Sequence, residues 1–170
     1  MNSKIEKSSP KNLDKIDLQI LSILQRNARI TLKELAAKVR LSATPVFERW
    51  KKLDSTGIIT RYVAIVDAEK VHRGFCVFCM VKLRQLTFDV VTDFVNVMQK
   101  IPEVSECYHI SGRYDYLLKI NAPDMKYYKN FIVNVLGHVD SIGTIESSFV
   151  MDVVKQNFDI IAPSSITDED

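Results

Sequence analysis

Cationic and hydrogen-bonding side chains are concentrated between residues 31 and 61 of this chain. The cations, each able to neutralise a phosphate of a nucleic-acid backbone, are Lys33, Lys38, Arg40, Lys51, Lys52 and Arg61. The side chains placed to read base edges, together with the preceding Ser42, are Ala43, Thr44, Pro45, Glu48 and Arg49. Arg49 is the leading candidate, because a guanidinium can bind guanine through two hydrogen bonds; the alternative is an ion pair with a neighbouring carboxylate. These residue types indicate recognition of double-stranded DNA.

Presenting such side chains to a DNA groove requires two short helices joined by a tight turn. Thr31 and Glu34 form the pattern of a capping box, which marks the start of a helix, and an apolar stripe at helical spacing continues to Val39. Ser42 can cap the next helix. The buried stripe of that second helix is predicted to consist of Val46, Trp50 and Leu53.

An upstream helix is predicted from about Asp14 to Asn27, and Gly57 fits the position that follows the last residue of a helix. Residues 58–66 are β-rich and long enough for a small hairpin. Three helices and a hairpin predict a winged helix-turn-helix domain over residues 13–66, preceded by a flexible arm at residues 1–12.

The charge distribution supports a nucleic-acid partner for this first domain only. Residues 1–66 carry 13 Lys and Arg against 6 Asp and Glu, a balance of +7, whereas residues 67–170 carry 10 against 15, a balance of −5. A basic amino-terminal part and an acidic carboxyl-terminal part are typical of a chain in which one domain binds DNA. The alternative is a solvated surface with a chance asymmetry.

The second half alternates strand and helix patterns in the order βαββαβ, which is typical of a ferredoxin-like domain. We place it at residues 75–155, after a polar linker at 67–74 and before a tail at 156–170 that ends in acidic residues. The fold class is therefore α+β. Helices on one face of a four-stranded sheet leave the other face open, and apolar side chains there predict a second copy of the chain as its cover.

No residue pattern indicates catalysis, a cofactor or a metal. Cys76 and Cys79 form a C-x-x-C, but they lie in an apolar run predicted to be a buried strand, where residues three apart point to opposite faces. The amino terminus does not resemble a signal peptide and no apolar run is long enough to span a membrane. We expect a cytoplasmic protein that is not an enzyme and has no membrane partner.

Several motifs, in order along the chain, resemble those of the Lrp/AsnC (feast/famine) transcriptional regulators. The match runs in collinear order from about Leu13 to Lys155, and the stretches that carry it are residues 13–21, 29–31, 41–49, 53–59 and 111–118. Each stretch is weak evidence, but their shared order and spacing are specific. Two positions depart from the family pattern: Arg40 stands where a glycine is frequent, and Arg113 stands where some relatives have an acidic or small residue. A left-handed backbone at Arg40 would cost roughly 1 kcal/mol or more.

The resemblance implies dimers formed through the second domain, their assembly into octamers, and a small-molecule effector that is usually an amino acid. In that case Gly112 permits a turn whose N–H groups receive a carboxylate, Asp115 pairs with an α-ammonium, and Ser147 supplies a hydroxyl. The candidate effector residues are His109, Gly112, Arg113, Tyr114, Asp115 and Ser147.

Two alternatives to a sequence-specific regulator stay open on the sequence. One is an architectural, nucleoid-type protein that binds DNA with little sequence preference. The other, less favoured, is an enzyme resembling the sirohaem decarboxylases, which share the family's overall shape. The basic front half favours DNA binding over catalysis.

Overall fold

A computed structural model describes residues 13–161, so the predicted arm at residues 1–12 and residues 162–170 of the predicted tail lie outside the described part. The described chain divides into two compact units. The first contains residues 13–64 together with residues 155–161, and the second contains residues 65–154. Part of the predicted tail thus groups with the amino-terminal unit.

Three helices form the first unit, and each begins where its capping residue predicts. The helices are α1 (Lys15–Arg26), α2 (Leu32–Lys38) and α3 (Ala43–Ser55). Capping boxes open α1, at Asp14 and Asp17, and α2, at Thr31 and Glu34. Such boxes satisfy N–H groups that have no partner within a helix. Apolar side chains from all three helices form one buried cluster: Ile20, Leu21, Leu24, Ile30, Leu35, Ala36, Val39, Val46 and Leu53.

The turn between α2 and α3 adopts the left-handed conformation that the sequence raised as a possibility. Arg40 has φ 57°, the Arg40 N–H donates to the Ala37 carbonyl at 3.3 Å, and the Leu41 N–H donates to the Ala36 carbonyl at 3.1 Å. This is a Schellman motif, which usually places glycine at the left-handed position. The same motif ends α3, where Gly57 has φ 73°. Gly57 therefore follows α3 as predicted, whereas Arg40 adopts a backbone conformation that is strained for a residue with a side chain.

The predicted hairpin at residues 58–66 is wrong: no strand lies between α3 and residue 75 of the described chain. The stretch contains no Gly, Asn, Asp or Pro with which to form a tight reversal. Its course is instead fixed by Tyr62, whose hydroxyl accepts from Trp50 Nε1 at 2.5 Å and donates to Asp54 Oδ1 at 2.8 Å. Among its described residues the unit is a helix-turn-helix with no hairpin after α3, and Arg61 lies on an irregular segment.

The second unit is the predicted βαββαβ domain. Its elements are β1 (Phe75–Leu83), α4 (Phe88–Met98), β2 (Val104–His109), β3 (Tyr116–Ala122), α5 (Met125–Asn134) and β4 (Ile142–Phe149). The four strands form one antiparallel sheet in the order β2-β3-β1-β4, and a short 3-10 turn, Leu136–His138, follows α5. Thr87 and Asp124 cap the two helices, as their positions predict.

Side chains alternate between the two faces of this sheet. On the helix side, Cys79 and its neighbours on β1 and β3 form a buried core with Phe94 and Phe131. The other face is not covered by either helix of the unit. One line of residues crosses the open face from β2 to β4, because strand pairing aligns Tyr108, Leu117, Met80 and Glu146. Cys76 lies on this open side, so alternation directs the two thiols of the C-x-x-C to opposite faces.

Candidate nucleic-acid interface and effector loop

The helix-turn-helix unit exposes most of the side chains predicted to contact DNA. Of the twelve candidates, only Arg49 is not exposed. The exposed ones lie on α2, on the turn, on α3 and on the segment after it: Lys33, Lys38, Arg40, Ser42, Ala43, Thr44, Pro45, Glu48, Lys51, Lys52 and Arg61.

The orientation of α3 follows from its buried stripe. Val46 and Leu53 are fully buried, and Trp50 is half-buried against the same cluster, as predicted for a core residue. Because residues at i, i+4 and i+7 share one helix face, the first turn of α3 presents Thr44 and Pro45 to solvent. Phe47, on the same helix, is 48% exposed.

The amino terminus of α3 retains hydrogen-bonding capacity. Ser42 occupies the capping position, but its side chain makes no capping hydrogen bond. The first N–H groups of a helix carry partial positive charge and bind anions such as phosphate. Arg40 lies two residues before Ser42 and is exposed, so a cation and a helix terminus without a side-chain cap occur side by side on the turn.

Arg49 is the leading sequence candidate for reading a base, but in the structure its guanidinium pairs with two carboxylates of the same chain. Its Nη1 donates to Asp14 Oδ2 at 2.5 Å and to Asp17 Oδ1 at 2.7 Å. Asp17 is buried, with a side chain only 4% exposed. Hydrogen bonds from the Asp17 N–H and from Arg49 hold the pKa of the Asp14 carboxyl below its usual value. The alternative considered from the sequence, an ion pair, is what the geometry supports, and it joins the start of α1 to α3.

The second candidate site surrounds the loop between β2 and β3. Gly112 has φ 120°, a conformation that side-chain-bearing residues rarely adopt. The guanidinium of Arg113 lies 5.4 Å from the ring centroid of Tyr114, and the Tyr114 hydroxyl donates to Glu146 on β4. His109 stacks on Tyr116, with 4.9 Å between ring centroids. The loop thus collects a guanidinium, a phenol, a carboxylate and a tight turn.

Asp115 does not face this loop as an open carboxylate. It is only 5% exposed, its Oδ2 accepts from the Leu83 N–H at 2.8 Å, and its Oδ1 accepts from Lys82 Nζ at 3.1 Å. Burial alone would raise the pKa of this carboxyl, but the Leu83 N–H and the Lys82 ammonium hold it below its usual value. The predicted pairing of Asp115 with an α-ammonium is therefore corrected: this carboxylate already joins β3 to β1.

Ser147 is also occupied within the fold. Its hydroxyl lies 2.6 Å from the Tyr128 hydroxyl, and its strand partner is the buried Cys79. Burial raises the pKa of Tyr128 to about 12 and that of the Cys79 thiol to about 11. Ser147 therefore belongs to a small polar cluster on the helix side of the sheet, not to the loop around Tyr114.

Two charged residues that the sequence reasoning left out or only touched on belong at this loop. Lys82 binds Asp115 while its side chain stays 44% exposed, and Glu146 binds Tyr114. Period-two alternation was the available signal, because both residues fall on the same open face as Met80.

Across residues 13–161, no group of His, Cys, Asp or Glu is arranged to hold a metal ion, and none of the helices described there has the length and apolar character of a membrane span.

A helix-turn-helix with an exposed basic surface, followed by an open-faced sheet unit with a polar loop, defines a DNA-binding regulator with a separate ligand-binding domain. Comparison with known families agrees: residues 13–54 match the AsnC-type helix-turn-helix domain, and residues 76–160 match the Lrp/AsnC ligand binding domain. The chain belongs to the Lrp/AsnC family of transcriptional regulators.

Individual relatives support this assignment over nearly their whole length. The chain is 35% identical over 143 residues to the DNA-binding transcriptional activator DecR of Escherichia coli K12, covering 84% of this chain and 94% of DecR. It is 36% identical over 152 residues to the leucine-responsive regulatory protein of the same strain, covering 89% and 93%. The transcriptional regulator NMB0573 of Neisseria meningitidis, solved as an L-Met complex, is 35% identical with a TM-score of 0.84, covering 86% and 95%.

Proposed function

We propose that this Lrp/AsnC-type regulator binds specific DNA sites as a homodimer, and that an amino acid bound at the β2–β3 loop changes its assembly on DNA. The observation that carries the proposal is the surface of α2, the turn and α3. There, eleven predicted DNA-contacting residues are exposed while the apolar faces of the same helices are buried.

Phosphate contacts supply most of the affinity in this proposal. The cations flank the amino-terminal half of α3 on both sides along the chain, so they can meet the backbone while that half enters the major groove. Base reading then falls to the first turn and a half of the helix, to Thr44, Pro45 and Glu48. Arg49 is left out of this set because both of its carboxylate partners lie within the protein.

Selection from random duplex DNA, followed by binding measurements at graded salt, tests the DNA-binding part. We expect one enriched motif with two-fold symmetry, and an affinity that falls steeply as salt increases. Enrichment without a motif would favour the architectural alternative. Absence of any retained DNA at low salt would contradict the proposal.

The effector part follows from the loop residues that remain available once Asp115 and Ser147 are assigned to the fold. The loop N–H groups around Gly112 and the Arg113 guanidinium are suited to a carboxylate, and Glu146 is suited to an α-ammonium. In this scheme Glu146 takes the role that the sequence reasoning gave to Asp115. The L-Met complex of NMB0573 supports an amino acid as the ligand class.

A thermal-shift screen of the twenty common amino acids tests the effector part, because a ligand that binds the native state raises its melting temperature. We expect at least one stabilising amino acid, with L-methionine as the first to try. Arg113→Ala and Glu146→Gln should weaken its binding, whereas Lys129→Ala on α5 should leave binding unchanged. Undiminished binding by both loop variants would contradict the proposed placement.

A further inference from the structure

The last seven described residues pack against the helix-turn-helix unit although they follow the final strand of the sheet unit. β4 ends at Phe149, and residues 155–161 group with residues 13–64. We call residues 155–161 the strap. The chain passes from the first unit to the second between Ala64 and Ile65 and returns between Val154 and Lys155, so the strap provides a second covalent attachment between the two.

Polar contacts hold the strap to the last turn of α1. Arg26 Nε donates to Asp159 Oδ2 at 2.9 Å. Gln25 binds the strap backbone with both ends of its amide, because its Oε1 accepts from the Ile160 N–H at 3.0 Å and its Nε2 donates to the Ile161 carbonyl at 3.4 Å. An amide that satisfies a donor and an acceptor of consecutive residues fixes the direction of the bound segment.

Burial supports the same docking. The Ile161 side chain packs against the apolar cluster of the helix-turn-helix unit, and the Asp159 side chain is only 13% exposed. A carboxylate this covered is retained where it is paired, and Arg26 supplies the pair. The Asp159 N–H also donates to Asn157 Oδ1 at 3.0 Å, which shapes the backbone leading into the contact.

We propose that the strap is a second tether that restricts the positions of the DNA-binding unit and thereby sets the half-site spacing that a dimer accepts. The inference rests on the proposed function, namely that a dimer binds two half-sites. A unit attached by one connector can pivot about it, whereas attachment at two separate points removes most of that freedom. In a dimer, restricted placement raises the effective concentration of the other copy's DNA-binding unit at a half-site of matching spacing. It lowers that concentration at a half-site of different spacing.

Four full chains that differ only at the strap separate tethering from simple stabilisation. The first is the native chain. The second carries six Gly and Ser residues inserted between Val154 and Lys155, which slackens the strap while keeping its docking residues. The third ends after Val154, and the fourth, a control, ends after Ile161 and so keeps the strap. Each is measured on a single half-site, on two half-sites at the selected spacing, and on the same pair offset by about half a helical turn.

We expect the native and control chains to lose about tenfold or more in affinity when the spacing is offset, within the range that linked binding produces. The slackened and shortened chains should lose less than about threefold, and the slackened chain should match the native chain on the single half-site. An unchanged spacing preference in the slackened chain would overturn the strap proposal alone. A native chain that retains no DNA would overturn the proposed function instead.

Hydrogen exchange tests the docking itself without DNA. The Ile160 amide should be protected in the native and slackened chains, and it should exchange at least tenfold faster in Gln25→Ala, which removes its acceptor. Lys129→Ala on α5 serves as the matched surface control. An Ile160 amide that exchanges in the native chain as fast as in an unstructured peptide would overturn the proposal.

Discussion

At the scale of single residues, Arg49 illustrates how an exposed helix position can be recruited by the protein's own carboxylates. We predict that Arg49→Ala lowers the free energy of unfolding by about 2 kcal/mol, because it leaves the buried Asp17 carboxylate without its charged partner. The salt dependence of DNA binding should stay unchanged once the folded fraction is taken into account. Chemical denaturation and binding at graded salt measure the two effects.

Lys52→Ala is the matched control on the same helix. It should reduce the slope of log affinity against log salt by about 0.9 with almost no effect on stability, since Lys52 is exposed. If Arg49→Ala reduces the slope equally and leaves stability intact, Arg49 contacts DNA after all.

Arg40 occupies a strained backbone that glycine would adopt more easily. We predict that Arg40→Gly stabilises the helix-turn-helix unit by about 1 kcal/mol, because φ 57° disfavours any side chain. The same change should weaken DNA binding, since it removes a cation beside the amino terminus of α3. Gly57→Ala, at the equivalent position of the second Schellman motif, should destabilise by a similar amount. Thermal unfolding and DNA titration of both variants check this, and a destabilised Arg40→Gly would contradict it.

Asp115 gives the sheet unit a pH-dependent contribution to stability. Because its pKa is lower in the folded than in the unfolded chain, the contribution is fully present above the usual Asp value of 3.8 and is lost as the pH falls through the folded value. We predict that Asp115→Asn lowers the free energy of unfolding by about 1–3 kcal/mol at pH 7. The difference in this free energy between the variant and the native chain should narrow below pH 3.8. Urea unfolding across this pH range measures it. A constant difference at all pH values would contradict the assignment.

At the scale of elements, α3 contributes cations on its later turns and hydrogen-bonding groups on its first. We predict that replacing Lys51 and Lys52 together by Ala reduces the salt slope by about 1.8 and weakens binding to all sequences alike. The double variant Lys126→Ala and Lys129→Ala, on the exposed surface of α5, is the matched control. Equal losses in both double variants would indicate a general charge effect and not contact through α3.

At the scale of the whole molecule, the open face of the sheet is the surface for which we predict a second copy of the chain. Phe78 on this face is 36% exposed and Tyr108 is 50% exposed. Phe78→Asp should dissociate the dimer, because each copy would place a charge in an apolar interface. Phe88→Asp provides the control, since Phe88 is 83% exposed at the start of α4 on the helix side. Sedimentation of both variants measures the mass, and an intact Phe78→Asp dimer would place the interface elsewhere.

Local sequence patterns predicted the structure correctly wherever the interactions that cause it lie within a few residues along the chain. Caps at Asp14, Thr31, Thr87 and Asp124 marked four helix starts, and Gly57 marked a helix end. These features depend on hydrogen bonds and backbone preferences within one turn of helix. The hairpin prediction failed because β-propensity without a turn residue does not reverse a chain, and Tyr62 is held by α3.

By itself, the sequence determined the two-domain order, the helix-turn-helix, the βαββαβ topology and the basic surface, since each follows from periodicity or composition. Only the tertiary structure decided which charged groups remain open to a ligand. Arg49 lies more than thirty residues along the chain from both Asp14 and Asp17, and Lys82 lies more than thirty residues from Asp115. Whether a carboxylate meets a cation of its own chain or one from outside depends on distances that folding alone establishes, and no local pattern encodes them.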